Sequence, residues 1–169
     1  MDELGIGQTD IIGFSDGGIV GLRLAARSPE RVGTLFTIGS DWTLPAAGRA
    51  FLSQVTPDWW RDRNPDGPLS ETVYRAANPE PDFDRLVTEN VSMWIDESSE
   101  TGYPGEDVRK ITAPVVMIRG TDDRLSSHDL AVALQERLPG SELHELLDAG
   151  HEAAATRPAA VAEIVRAER

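Results

Sequence analysis

Gly13-Phe14-Ser15-Asp16-Gly17-Gly18 sets a serine among small residues, just after the apolar run Asp10-Ile11-Ile12 and just before a helix-like segment. That arrangement reads as a nucleophile elbow, a sharp strand-to-helix turn whose small neighbours let the backbone fold tightly enough to expose the hydroxyl. An unassisted serine hydroxyl is a poor nucleophile at neutral pH, so acyl transfer needs an imidazole to take its proton during attack. His151, within Asp148-Ala149-Gly150-His151-Glu152, is the candidate base. A carboxylate on the far side of the ring would fix its tautomer and stabilise the imidazolium, and Asp122 and Asp123 are placed to supply one. His128, in the first turn of a helix, and His144, inside a strand-like run, read as structural.

These side chains need elements that carry them to one place. Asp10 to Phe14 predicts a short buried strand, Gly17 to Ser28 a helix stopped before Pro29, and Val32 to Ile38 a second strand. Together they make a βαβ unit with parallel strands. The helix is apolar nearly all round, which predicts cover on more than one side. Later, Val115 to Ile118 predicts a strand followed by the tight loop Gly120-Thr121-Asp122-Asp123. Ser126 with Asp129 resembles a capping box for the helix carrying Leu130, Leu134 and Leu138, which Pro139-Gly140 ends. Glu142 to Leu147 alternates as a strand near a sheet edge, and Pro158 opens a last helix with Val161, Ile164 and Val165 on one face. The alternation predicts an open, mostly parallel α/β sheet of about four strands with flanking helices. In such sheets, ligands bind beyond the carboxyl ends of the strands, where Ser15, Asp122, Asp123 and His151 all fall.

The centre of the chain breaks this rhythm. Residues 41–107 hold seven of the eleven prolines and all four tryptophans, with short helical pieces such as Phe83 to Trp94. This stretch reads as an inserted helical cap, giving one domain in three zones: core with elbow (1–40), cap (41–110), and core with the acid and histidine loops (111–169). Trp42, Trp59, Trp60 and Trp94 are as suited to holding a cap together as to lining a pocket, and none is assigned to binding.

Composition removes several alternatives. With 169 residues the chain can bury a real core, and 40% hydrophobic with 27% charged residues is ordinary for a globular protein. No cysteine is present, which excludes disulfides, thiolate nucleophiles and cysteine-ligated metals. A net charge of −13 opposes binding to nucleic acid or anionic lipid. The charge is concentrated between Asp58 and Asp107, which holds 13 acidic and 4 basic residues and reads as a solvated surface. Met1-Asp2-Glu3 is acidic where a signal peptide is basic, and no apolar run spans a bilayer, so the expected compartment is the cytoplasm and the expected partner a small molecule rather than nucleic acid or membrane.

The elbow, Leu24-Ala25-Ala26-Arg27-Ser28-Pro29-Glu30-Arg31-Val32, Ile118-Arg119-Gly120-Thr121-Asp122-Asp123 and Gly150-His151 together resemble the α/β-hydrolase superfamily in order and spacing. The Ser-Asp-Gly-Gly elbow is most similar to the valacyclovirase and biphenyl-hydrolase-like branch. The resemblance implies a serine esterase or amidase without metal or organic cofactor, with Ser15 as nucleophile, His151 as base and Asp123 as the acid. It also implies that Asp16 gives a backbone N–H to the oxyanion hole. Asp122 remains an alternative acid, as does Asp41, because some members of the superfamily carry the acid after the strand that here ends at Ile38.

The sequence also departs from that pattern. The family carries about four strands before the elbow, and after the third of them a His-Gly loop with a second oxyanion donor. Met1 to Gly7 holds no such strands, and no His-Gly pair occurs anywhere. These departures predict a truncated form, with a first strand whose outer edge is unpaired and prone to self-association. They set a second reading, a non-catalytic fragment or interaction module, beside the hydrolase.

Overall fold

The computed structural model describes residues 1–98 and 100–168. The chain forms two compact units, one of residues 1–43 and 103–169 and the other of Leu44–Gly102. The first is built on four strands, β1 (Thr9–Phe14), β2 (Val32–Ile38), β3 (Val115–Gly120) and β4 (Glu142–Leu146), in the spatial order β1-β2-β3-β4. All three pairings are parallel, with Ile11 beside Leu35, Leu35 beside Val115, and Val116 beside Glu142. Residues just beyond Phe14, Ile38, Gly120 and Leu146 therefore collect along one end of the sheet.

Position in the sheet explains the strand sequences. Every residue of central β3 is buried, so Val-Val-Met-Ile meets protein on both faces. The outer strands β1 and β4 are largely exposed or half-buried, and Ile12 and Phe14 on β1 are 58% and 42% exposed. Helix α1 (Asp16–Arg27) crosses back over β1 and β2, burying Gly18, Gly21, Leu22, Ala25 and Ala26. Four of those five are Gly or Ala, which lets the helix axis approach the sheet closely. Besides the sheet, the helix packs against the 3-10 segment Gly105–Lys110, so it is covered on more than one side, while Val20 projects into solvent.

Two apolar clusters line the faces of the sheet. Leu22, Ala25, Leu35, Met117, Trp42, Val108 and Leu134 form one, which includes α1 and helix α6 (His128–Arg137). Phe36, Ile38, Val116, Ile118, Ala149 and Ala153 form the other, closed by the C-terminal helix Pro158–Ala167 through Val161. Trp42 belongs to this first unit: its Nε1 donates to the Leu130 carbonyl at 3.0 Å, and the Arg137 guanidinium stacks on its ring at 4.1 Å.

The cap of α6 is Ser127, whose Oγ accepts the Leu130 N–H at 3.1 Å. Its neighbour Ser126, which with Asp129 resembles a capping box in the sequence, is instead buried and donates its hydroxyl to Asp41. The second unit is helical, with four helices among the described residues, α2 (Ala46–Leu52), α3 (Pro57–Arg63), α4 (Glu71–Ala77) and α5 (Phe83–Ile95). Thr56, Ser70 and Asp82 each cap a following helix through the side chain. Val55, Phe83, Val87 and Val91 form its core, with Trp59, Trp60 and Trp94 packed around them. No helix among the described residues is long and apolar enough to cross a membrane.

Candidate active site

Ser15 sits between β1 and α1 with φ 51° and ψ −121°, a backbone region that a side-chain-bearing residue adopts only when its surroundings impose it. Three contacts impose it. The Ser15 N–H donates to the Ile38 carbonyl at 2.8 Å, the Ser15 carbonyl accepts the Ser40 hydroxyl at 2.8 Å, and the Gly18 N–H closes the turn on the same carbonyl. Gly13 is required by approach rather than by conformation, because a Cβ there would lie 2.4 Å from the Gly17 carbonyl oxygen.

The structure brings Ser15, His151 and Asp123 into one chain of contacts. His151 Nε2 lies 3.1 Å from Ser15 Oγ, while its Nδ1 lies 3.0 Å from Asp123 Oδ2 and 3.2 Å from Oδ1. The His151 ring also packs against the Phe14 ring, with centroids 5.1 Å apart. With Nδ1 facing a carboxylate, the Nδ1–H tautomer is favoured and leaves Nε2 as the acceptor toward the serine hydroxyl.

Electrostatics divides the charge between these groups. Burial alone would raise the Asp123 carboxyl, but the hydrogen bond to His151 and those from the Ser126 and Leu125 N–H groups outweigh it and hold Asp123 below its usual range. The Asp123 hydrogen bond raises His151 above its usual value, against the opposing effect of burial. The ring therefore holds a proton more readily than a free imidazole, beside a carboxylate that stays ionised.

Neither of the other acid candidates hydrogen-bonds the ring. Asp122 is exposed, and its backbone N–H donates to the Ala149 carbonyl at 2.9 Å, tying the acid loop to the histidine loop. Asp41 is half-buried behind the acid loop and accepts the Ser126 hydroxyl at 2.9 Å. Asp16 is the first residue of α1, where backbone N–H groups point out of the helix N-terminus. His128 pairs with Glu145 at 3.0 Å, and His144 with Glu142 at 3.4 Å, both away from the serine.

Several positioning residues escape a reading by motif. Gly39 has φ 58°, and a Cβ on it would meet Asp123 Oδ2 at 3.0 Å and His151 Nδ1 at 3.1 Å, so the acid–imidazole pair passes over a bare backbone. Arg119, buried on β3, bonds the carbonyls of Asp123 and Ser126 at 3.4 and 3.2 Å and pairs with Glu145, holding the acid loop from beneath. Gly39 directly after an apolar strand was visible in the sequence; a charged residue ending such a strand, as Arg119 does, was the other available signal. Glu142, His144 and Glu168 offer ligand atoms within 4.8 Å of one another at the sheet edge, with His144 Nε2 3.4 Å from Glu142 and 4.0 Å from Glu168.

With this geometry in view, comparison with known proteins places the chain. Residues 1–164 match the alpha/beta hydrolase family, and the chain belongs to it. It is 30% identical to 2-hydroxymuconate semialdehyde hydrolase of Pseudomonas putida, over 89% of this chain and 58% of that protein. It is 29% identical to a 2-hydroxy-6-oxononadienedioate/2-hydroxy-6-oxononatrienedioate hydrolase of Burkholderia vietnamiensis, with the same coverage. Among solved structures, a meta-cleavage product hydrolase from Pseudomonas fluorescens superposes with a TM-score of 0.69 at 22% identity, over 98% of this chain and 65% of that one. The biphenyl-hydrolase-like branch fits these neighbours. The chain spans 58% of the length of these two curated relatives.

Proposed function

We propose that this protein is a serine hydrolase acting by acyl transfer on a small ester or amide. The observation that carries the reading is the contact chain Ser15 Oγ to His151 Nε2 at 3.1 Å and His151 Nδ1 to Asp123 Oδ2 at 3.0 Å. In the first half-reaction Ser15 Oγ attacks the substrate carbonyl as His151 Nε2 takes the hydroxyl proton, and Asp123 stabilises the imidazolium. The Asp16 N–H donates to the developing oxyanion, aided by the positive end of α1. Collapse of the tetrahedral intermediate transfers the proton from His151 to the leaving alcohol or amine and leaves an acyl-serine. Water, deprotonated by the same imidazole, then releases the acid. No step calls for a metal or organic cofactor. Relatives named as hydrolases of 2-hydroxymuconate semialdehyde and as a carbamate hydrolase support a small-molecule substrate.

Release of p-nitrophenol from short-chain p-nitrophenyl esters tests this reading. A burst equal to the enzyme concentration is expected from the wild type and none from Ser15→Ala. Equal turnover by the two proteins contradicts the reading.

A second reading, an interaction module rather than a catalyst, is favoured by one observation, the exposed apolar edge of β1 at Ile12 and Phe14. Under it the chain self-associates or pairs with another chain along β1, and the folded protein gives no burst.

A further inference from the structure

Asp41 is a third carboxylate built into the end of the sheet that carries the serine. It follows β2 by way of Gly39 and Ser40, so the backbone that brings it there also carries the bare Gly39 surface under the acid–imidazole pair and the Ser40 hydroxyl bound to the Ser15 carbonyl. Its Oδ1 accepts the hydroxyl of Ser126 at 2.9 Å, and the N–H of the same Ser126 donates to Asp123 Oδ1 at 2.9 Å. Ser126 is 2% exposed, so this bridge between two carboxylates is shielded from water. A buried serine that spends its side chain on one acid and its backbone on another fixes the loop carrying Asp123 at two points.

We propose that Asp41 is a positioning residue for the relay of Ser15, His151 and Asp123, holding the acid loop through Ser126 and setting a second negative charge behind the imidazole. This rests on the reading of those three residues as the catalytic relay. The charged groups that face Asp41 are Asp123, on the loop after β3, Arg119, on β3 itself, and His151, on the loop after β4. Those that act on His151 are Asp123, Asp41 and Glu152. Burial raises the Asp41 carboxyl to about 6 and Asp123's charge adds to the rise, while the Ser126 hydrogen bond and the Arg119 and His151 charges oppose it. Asp123, by contrast, is held low. Of the two carboxylates, Asp41 is therefore the one that takes up a proton in mildly acidic solution.

The consequence is a coupled titration. An ionised Asp41 favours the imidazolium, so it makes His151 a stronger base. A proton on Asp41 removes that support and resists a second proton on His151. The two groups then load protons over a wider pH range than either alone, so the His151 titration is both raised and broadened.

Nuclear magnetic resonance titration of the His151 ring in the full chain reads this directly, without substrate. In Asp41→Asn the His151 midpoint is expected to fall by about half a pH unit or more and its curve to become a single, steeper transition. Ser126→Ala, which strips the hydrogen bond that favours ionised Asp41, should shift the midpoint the same way by less, and serves if Asp41→Asn does not fold. An unchanged midpoint and shape in the folded variants overturn the proposal. Fluorophosphonate labelling of wild-type Ser15 separates the two claims: absent labelling defeats the nucleophile assignment, whereas the His151 midpoint decides Asp41 on its own.

Discussion

Gly39 makes the residue-scale case that position, and not only residue type, limits this site. Adding a methyl in Gly39→Ala drives a Cβ into Asp123 Oδ2 and His151 Nδ1 and forces alanine into φ 58°. Displacing a catalytic pair by about 1 Å can cost about a hundredfold in rate, and a loss of that order in Ser15 labelling is the expected outcome. Stopped-flow labelling with a fluorescent fluorophosphonate measures it. The pH dependence has a definite sign as well. Under the proposed function neutral His151 is the working base, and its value is raised, so labelling should rise with pH through a midpoint above 6.5 and that midpoint should move down in Asp123→Asn. For Asp41 the folded protein retains a proton between 3.8, the unfolded value, and about 6, so its contribution to stability is full below that window and is lost as pH rises through it. Asp41→Asn should therefore raise the melting temperature relative to wild type more at pH 7.5 than at pH 4, as calorimetry at the two pH values would show. The types of Ser15, His151 and the Asp122-Asp123 pair were legible because their chemistry is tied to short motifs. Choosing Asp123 by geometry needed the fold, since two adjacent aspartates carry the same pattern and differ only in which one turns inward.

At the scale of elements, the strands and helices were legible wherever apolar runs met a clear stop, as at Pro29, Pro114 and Pro158. Neighbouring serines were not resolved: Ser126 and Ser127 suit a cap equally in sequence, and only packing assigns Ser127 to α6 and Ser126 to Asp41. Ser127→Ala should cost about 1 kcal/mol of stability through the lost cap, while leaving the His151 titration in place. Deeper in the core, Leu35 is fully buried between α1 and the sheet, and Leu35→Ala should cost about 2–5 kcal/mol. Denaturant titration of both variants checks the contrast. Which stripe of α1 stays exposed was not legible, because its glycines and alanines are compatible with burial on any face and Val20 carries no mark of exposure.

For the whole molecule, the order of motifs along the chain pointed to the family because a parallel sheet delivers the end of every strand to the same edge. The open flank of β1 belongs to this scale too. If that edge drives self-association, Ile12→Lys should shift the protein toward monomer in sedimentation velocity over a range of concentrations, by placing a charge on an exposed strand edge. The proposed function stands on Ser15 being a nucleophile activated by His151. Mass spectrometry of the folded chain after fluorophosphonate treatment tests it most directly. One covalent adduct is expected, located on Ser15 and formed at least about a hundredfold more slowly in His151→Ala; an unmodified Ser15, or equal rates in the two folded proteins, would overturn the assignment.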